Sequence, residues 1–202
     1  MKSVTWTLLT VAAICLGTSR LVLAEDAPPP APADETRVIA DFEKESDIRL
    51  VRRNDDHVSI AIDESHATSG THALKVTSKE GPDHGGFDLA GAALQGWDKY
   101  KYLVFDLTSD SDVKMPFHLE AQDDKTTNYG TRASIKEGLP VLGKGKVTIV
   151  VETAKLRRND GSGLIDLSTL KRFRCILETK AITEPYVTYL DNIRLTNTAP
   201  AK

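Results

Sequence analysis

Two groups of side chains in this sequence are of types that do chemistry together. The first is acidic. Asp41 and Glu43 stand two apart in the segment DFE, and Asp191 stands in YLDNIRL (189–195). Side chains alternate across a strand, so Asp41 and Glu43 share a face, and Asp191 shares one with Tyr189, Ile193 and Leu195. A lone charge among aliphatic neighbours is costly to bury, so Asp191 needs a partner. The turn ATSGTHAL (67–74) offers backbone carbonyls and the hydroxyls of Ser69 and Thr71. Together these are hard oxygen donors of the kind calcium takes, six to eight of them at about 2.3–2.6 Å. The expectation is a structural calcium that joins the first and last strands. Two other readings of the same residues remain open: carboxylates that cap turn amides, or carboxylates that face water.

The second group is mixed. In MPFHLEAQD (115–123), alternation sets Phe117, Leu119 and Ala121 on one face and His118, Glu120 and Gln122 on the other. Asn128, Tyr129 and Arg132 follow in the next segment, and Arg174 and Glu178 project outward from a later one. Sugars are held by aromatic rings against their C–H faces and by planar polar groups against their hydroxyls. His118, Glu120, Gln122, Asn128, Tyr129 and Arg132 are such a set if their strands are neighbours. The alternative is a solvated sheet face carrying charged pairs. Trp97 and Tyr100, in GWDKYKY, read as packing residues at the sandwich edge, and aromatic residues are only 6% of the chain, thin for a sugar platform. Other chemistries find no support. The histidines are scattered, no HExxH or CxxC occurs, GKGK (143–146) reads as a hairpin turn, and KLRRNDGSG (155–163) reads as a solvent-facing loop.

The elements that must position these residues are strands. RVIADFE (37–43), HVSIAID, THALKVTS, GGFDLA, KYLVFDLTS, MPFHLEAQD, NYGTRASI, KVTIVVE, RFRCILE and YVTYLDNIRL make about ten short strands between Gly-, Asp-, Asn- and Lys-rich turns. This pattern predicts an all-β, two-sheet antiparallel sandwich over residues 37–197, with a tail at 198–202. DLSTLKR and AALQGWDKY are helical turns at most, the first capped by Asp166 or Ser168. Ahead of the domain, residues 1–24 read as a secretory signal: Lys2, then the apolar run WTLLTVAAICLG, then Val22 and Ala24 at the cleavage positions. Residues 25–36, EDAPPPAPADET, read as a proline-rich extended linker. The domain is thus expected to be secreted or periplasmic, with no membrane contact after cleavage. Cleavage leaves Cys175 alone, so no internal disulfide can form. The formal net charge of −3 gives no basic footprint for nucleic acid or a membrane surface.

The order of these segments resembles the β-jelly-roll carbohydrate-binding modules of the galactose-binding-like superfamily, most of all through SGTHAL (69–74) and YLDNIRL. The resemblance covers nearly everything from Arg37 to Leu195. It implies a structural calcium held by Glu43, by the turn at Ser69, Gly70 and Thr71, and by Asp191, with Asp41 beside them. It also implies a non-catalytic domain whose partner is an oligo- or polysaccharide. The same superfamily contains assembly modules of the CIA30 type, which share the DFE start and would contact a protein partner. A small jelly-roll polysaccharide lyase would draw on His118, Gln122, Tyr129 and Arg132, though these stand in no lyase motif.

Overall fold

The computed structural model describes residues 35–80 and 85–200. The expected signal at 1–24, most of the linker, and the last two residues lie outside the described residues. Within them the chain forms two antiparallel sheets. The first contains β1 (Thr36–Ala40), β3 (Val58–Asp63), β4 (Ala73–Ser78), β6 (Tyr102–Ser109), β9 (Gly145–Glu152) and β11 (Tyr186–Thr196). Its order is β3-β4-β11-β6-β9, with β1 also paired to β11. The second contains β2 (Val51–Arg53), β5 (Gly85–Leu89), β7 (Phe117–Gln122), β8 (Ala133–Ile135) and β10 (Arg172–Leu177), in the order β2-β5-β10-β7-β8.

Alternation explains the core. Phe117, Leu119 and Ala121 of β7, Phe173, Cys175 and Leu177 of β10, and Phe87 and Leu89 of β5 are all buried and belong to one cluster between the sheets. Phe87 meets Phe105 of β6 edge-to-face at 6.2 Å, so each sheet contributes one ring. Trp97 is fully buried, packs on Phe173 at 5.1 Å and donates its indole N–H to the Ala93 carbonyl, which confirms its packing role. Burial pushes the Cys175 thiol up, so it stays protonated and unreactive. The two helical turns are single 3₁₀ turns or pairs of them, and Asp166 does accept from the Ser168 amide.

The first and last strands pair, with Arg37 opposite Leu195. Three details differ from strict alternation. The first strand stops at Ala40, and Phe42 enters the core from a left-handed backbone (φ 57), so DFE is a turn and not a strand. NYGTRASI is strand only at Ala133–Ile135; the residues before it form a turn. In β11 the pairing with β6 shifts between Asp191 and Arg194, and Asn192 takes φ 54, which asparagine tolerates better than most residues. This bulge moves Ile193 and Leu195 onto the core face beside Leu190. Asp191 is left on the opposite face with Tyr189, which packs against His66 at 4.3 Å.

Candidate functional site

At the joined ends, the acidic residues close on the turn between β3 and β4. Asp191 Oδ2 accepts the amides of Thr68 (2.6 Å) and Ser69 (2.7 Å) and the Thr68 hydroxyl (3.0 Å); its Oδ1 accepts the Asn192 amide at 2.6 Å. Glu43 Oε1 accepts the amides of Thr71 (2.7 Å) and His72 (2.8 Å), and Oε2 accepts the Thr71 hydroxyl at 2.9 Å. Those two amides, Thr71 first, bring the Glu43 carboxyl down to about 2. Gly70 lies between the two clamps at φ 68, and a Cβ there would stand 2.4 Å from Glu43 Oε1. Asp41 accepts the Glu43 amide at 3.3 Å.

Glu43, Ser69, Gly70, Thr71 and Asp191 are therefore brought together, with Asp41 adjoining. However, the carboxylate oxygens meet N–H groups of the turn. A calcium site needs its carbonyls. In this arrangement the donor set does not fit an ion, and among the described residues no group of three or more His, Cys, Asp or Glu side chains is placed to hold one. A chelator is accordingly expected to leave the melting temperature unchanged in a thermal melt. A fall that calcium reverses would mean that the turn carbonyls, not its amides, face the carboxylates.

The second group lies on the outer face of the five-stranded sheet. Residues directly opposite on antiparallel neighbours share a face. The register sets Arg52 of β2 opposite Asp88 of β5, Asp88 opposite Arg174 of β10, Arg174 opposite Glu120 of β7, and Glu120 opposite Ser134 of β8. One residue from each strand thus forms a row across the sheet, about 19 Å long at about 4.8 Å per strand. Beside it, Arg172 stands opposite Gln122, and His118 opposite Ile176.

The acids on this face are not solvated. Glu120 is 2% exposed and Asp88 5%. Arg172 Nε and Arg174 Nε donate to the two oxygens of Asp88 at 2.7 and 3.1 Å. Arg132 Nη2 lies 3.0 Å from Glu120 Oε1, with His118 Nε2 at 3.6 Å from the same oxygen and Arg174 Nη1 at 3.8 Å from Oε2. Burial pushes the Glu120 carboxyl up, but the His118 ring and the charges of Arg132 and Arg174 hold it below the usual range. The result is one chain of alternating charge: Arg172, Asp88, Arg174, Glu120, Arg132. At its end the Arg132 guanidinium stacks over the Tyr129 ring at 4.4 Å, and Tyr129 is 55% exposed. Tyr129 and Ser134 also line an open groove of ≈ 650 Å³ beside β8.

Of the expected ligand residues, His118, Glu120, Tyr129 and Arg132 come together, and Gln122 lies one row away. Asn128 instead caps its own turn through the Gly130 and Thr131 amides (2.8 and 3.2 Å). Asp88, Arg172 and Arg52 were not singled out in the sequence. Their signal was present: Asp88 stands between the core residues Phe87 and Leu89, so it faces outward, as do Arg172 and Arg174 around Phe173. The loop KLRRNDGSG is also closer to this site than its composition suggests. Arg158 is 8% exposed and donates to the buried Asp123 and to the Thr131 carbonyl.

No protein-family model and no curated protein matches this chain. Solved structures do. A family 11 carbohydrate-binding module of the cellulosomal cellulase Lic26A-Cel5E of Clostridium thermocellum is 18% identical over 83% of this chain and 97% of its own, with a TM-score of 0.57. A family 11 module from the same organism, in complex with a β-1,3-1,4-mixed-linked tetrasaccharide, is 17% identical over 82% and 96%, with a TM-score of 0.58. An exo-β-agarase is 14% identical over 81% of this chain but only 25% of the enzyme, with a TM-score of 0.57. At these identities the likeness is one of fold: the chain has the two-sheet β-jelly-roll sandwich that these solved structures share.

Proposed function

We propose that this chain is a non-catalytic, extracytoplasmic domain that binds oligo- or polysaccharide on the outer face of its five-stranded sheet. The observation that carries this reading is the pairing of buried charges on an outward face with an exposed tyrosine stacked at its end. Desolvated ion pairs contribute little to stability, but they fix side chains in place. A preformed set of planar donors next to an aromatic ring suits a flat, hydroxyl-rich ligand. The solved module that holds a mixed-linked tetrasaccharide has the same fold, which supports the reading.

Tyr129→Ala is the cleanest test, because that ring is exposed and its loss leaves no buried charge alone. Arg132 and His118 are poorer targets, since Glu120 depends on both. Against a panel of soluble polysaccharides, Tyr129→Ala is expected to weaken binding by up to about tenfold, the worth of one aromatic contact, with an unchanged melting temperature. If the unaltered protein retains none of the polysaccharides in affinity electrophoresis, the proposal fails.

A further inference from the structure

We infer that the glycan bound by this face is anionic, carrying carboxylate or sulfate groups that the arginines of the row receive. This rests on the glycan-binding reading and sharpens it to a ligand class. Four arginines, Arg52, Arg132, Arg172 and Arg174, stand on the face against two carboxylates within it, Asp88 and Glu120, and Glu178 at its rim. The two signs also lie at different depths. The Asp88 and Glu120 side chains are 7% and 2% exposed, while that of Arg172 is 39% exposed and Arg52 is exposed at the end of the row. Apart from Glu178, whose side chain is 56% exposed at the rim, what a ligand meets is therefore positive, although the whole chain is acidic. At physiological salt, charges beyond about 8 Å are screened, so the local excess decides what binds.

The donors are also available. A guanidinium has five N–H groups in a planar fork that matches a carboxylate. Asp88 takes Nε and Nη2 of Arg172 and Nε of Arg174, which leaves further N–H groups on each. Because both guanidiniums are already oriented by a buried acid, little side-chain entropy is lost when they receive an anion. Tyr129, stacked on Arg132 at the end of the row, supplies an exposed ring for the C–H face of a sugar in the same glycan. The scarcity of aromatic residues, a weakness for a neutral glycan, is no handicap where charge provides the contact.

The test is isothermal titration of the protein with polygalacturonate and alginate as uronate probes, κ-carrageenan as a sulfate probe, and mixed-linked β-glucan and xylan as neutral ones. Arg52→Gln and Arg172→Gln are the variants, since Arg174 keeps Asp88 paired in both. The expected result is binding to the uronates, weakened by added salt and reduced about five- to tenfold by each substitution. Binding to carrageenan alone, with the same losses, supports the inference and assigns the anion as sulfate. Neutral glucan bound as tightly as the acidic polymers, or uronate binding indifferent to both substitutions, overturns the anionic assignment and leaves glycan binding standing. Binding to none of the five overturns both.

Discussion

Arg158→Ala is expected to destabilise the domain by about 3–5 kcal/mol, the usual result of stripping one partner from a buried ion pair. Arg158 donates through Nη2 to Asp123 and through Nη1 to the Thr131 carbonyl. Asp123 is 2% exposed and also accepts the Asp166 amide (2.8 Å) and the Thr126 hydroxyl (2.9 Å). Burial raises its carboxyl, yet the Asp166 amide, the Thr126 hydroxyl and Arg158 together hold it below 3.8. A folded value under the unfolded one means that its contribution is complete above pH 3.8 and is lost as the pH falls through the folded value. Alanine at position 158 leaves this carboxylate buried without its cation. For a domain of this size the melting temperature should fall by about 6–20 °C. The substitution also reaches the glycan face. Asn159 donates to the Tyr129 carbonyl at 2.8 Å, and the Asn159 and Asp160 amides bond the Arg132 and Gly130 carbonyls, each at 2.9 Å. Loosening Arg158 therefore frees the segment that carries Tyr129 and Arg132, and binding should weaken along with stability. Denaturant unfolding of Arg158→Ala, Asp123→Asn and the double variant checks the argument. The double variant should cost less than the two singles together, because they share one interaction. A loss below about 1 kcal/mol in Arg158→Ala would mean that the pair is not buried as described.

The contrast between Arg158 and the β7 residues shows what a sequence displays and what it hides. Phe117, Leu119 and Ala121 face inward because a strand has a period of two, and that period is written locally. The same rule placed His118, Glu120 and Gln122 together and set Phe173, Cys175 and Leu177 in the core. The two chain ends both read as strong strands, which sets them to pair or lie adjacent, and β1 does pair with β11. Arg158 lies in a loop, where no period operates, and its partner Asp123 is 35 residues away. A run of basic and polar residues reads as solvent-facing unless the acid that meets it is known. Asp88 was readable as outward-facing, but its role depends on strand order, which sets β5 beside β10 and not beside β4. At Asp191 the alternation rule failed for a local reason: an extra residue at the bulge reverses which side chains face inward after it. The Asn192 left-handed backbone is the cause, and asparagine alone is too common to announce it.

The second large effect is expected at that bulge. Asp191→Ala should cost about 3–5 kcal/mol, because three backbone N–H groups lose their acceptor at about 1–3 kcal/mol each where they are buried. Asp191 is 1% exposed and accepts from the Thr68 amide and hydroxyl, the Ser69 amide and the Asn192 amide. Alanine removes all of these acceptors at once and leaves three amides without their partner. Directly across the sheet stands Asp106, also buried, whose oxygens accept the Thr148 hydroxyl (2.6 Å) and the Thr68 hydroxyl (2.8 Å). Thr68 has one hydroxyl hydrogen for two carboxylates, so it serves one of them at a time. Asparagine at 191 keeps one oxygen but turns an NH₂ group towards N–H donors, so it should restore only part of the loss. The pH dependence separates a charge effect from simple cavity formation. Burial pushes the Asp191 carboxyl above 3.8, against the amides of Thr68, Ser69 and Asn192, which pull it down. A folded value above the unfolded one gives a contribution that is fully present below pH 3.8 and is lost as the pH rises through the folded value. Wild type therefore keeps a compensating gain on acidification that Asp191→Asn lacks. Denaturant unfolding between neutral pH and pH 4 should show the gap between the two widening as the pH falls. A gap that is constant with pH would mean that Asp191 acts through shape alone, and a gap below about 1 kcal/mol throughout would mean that the turn is held without it.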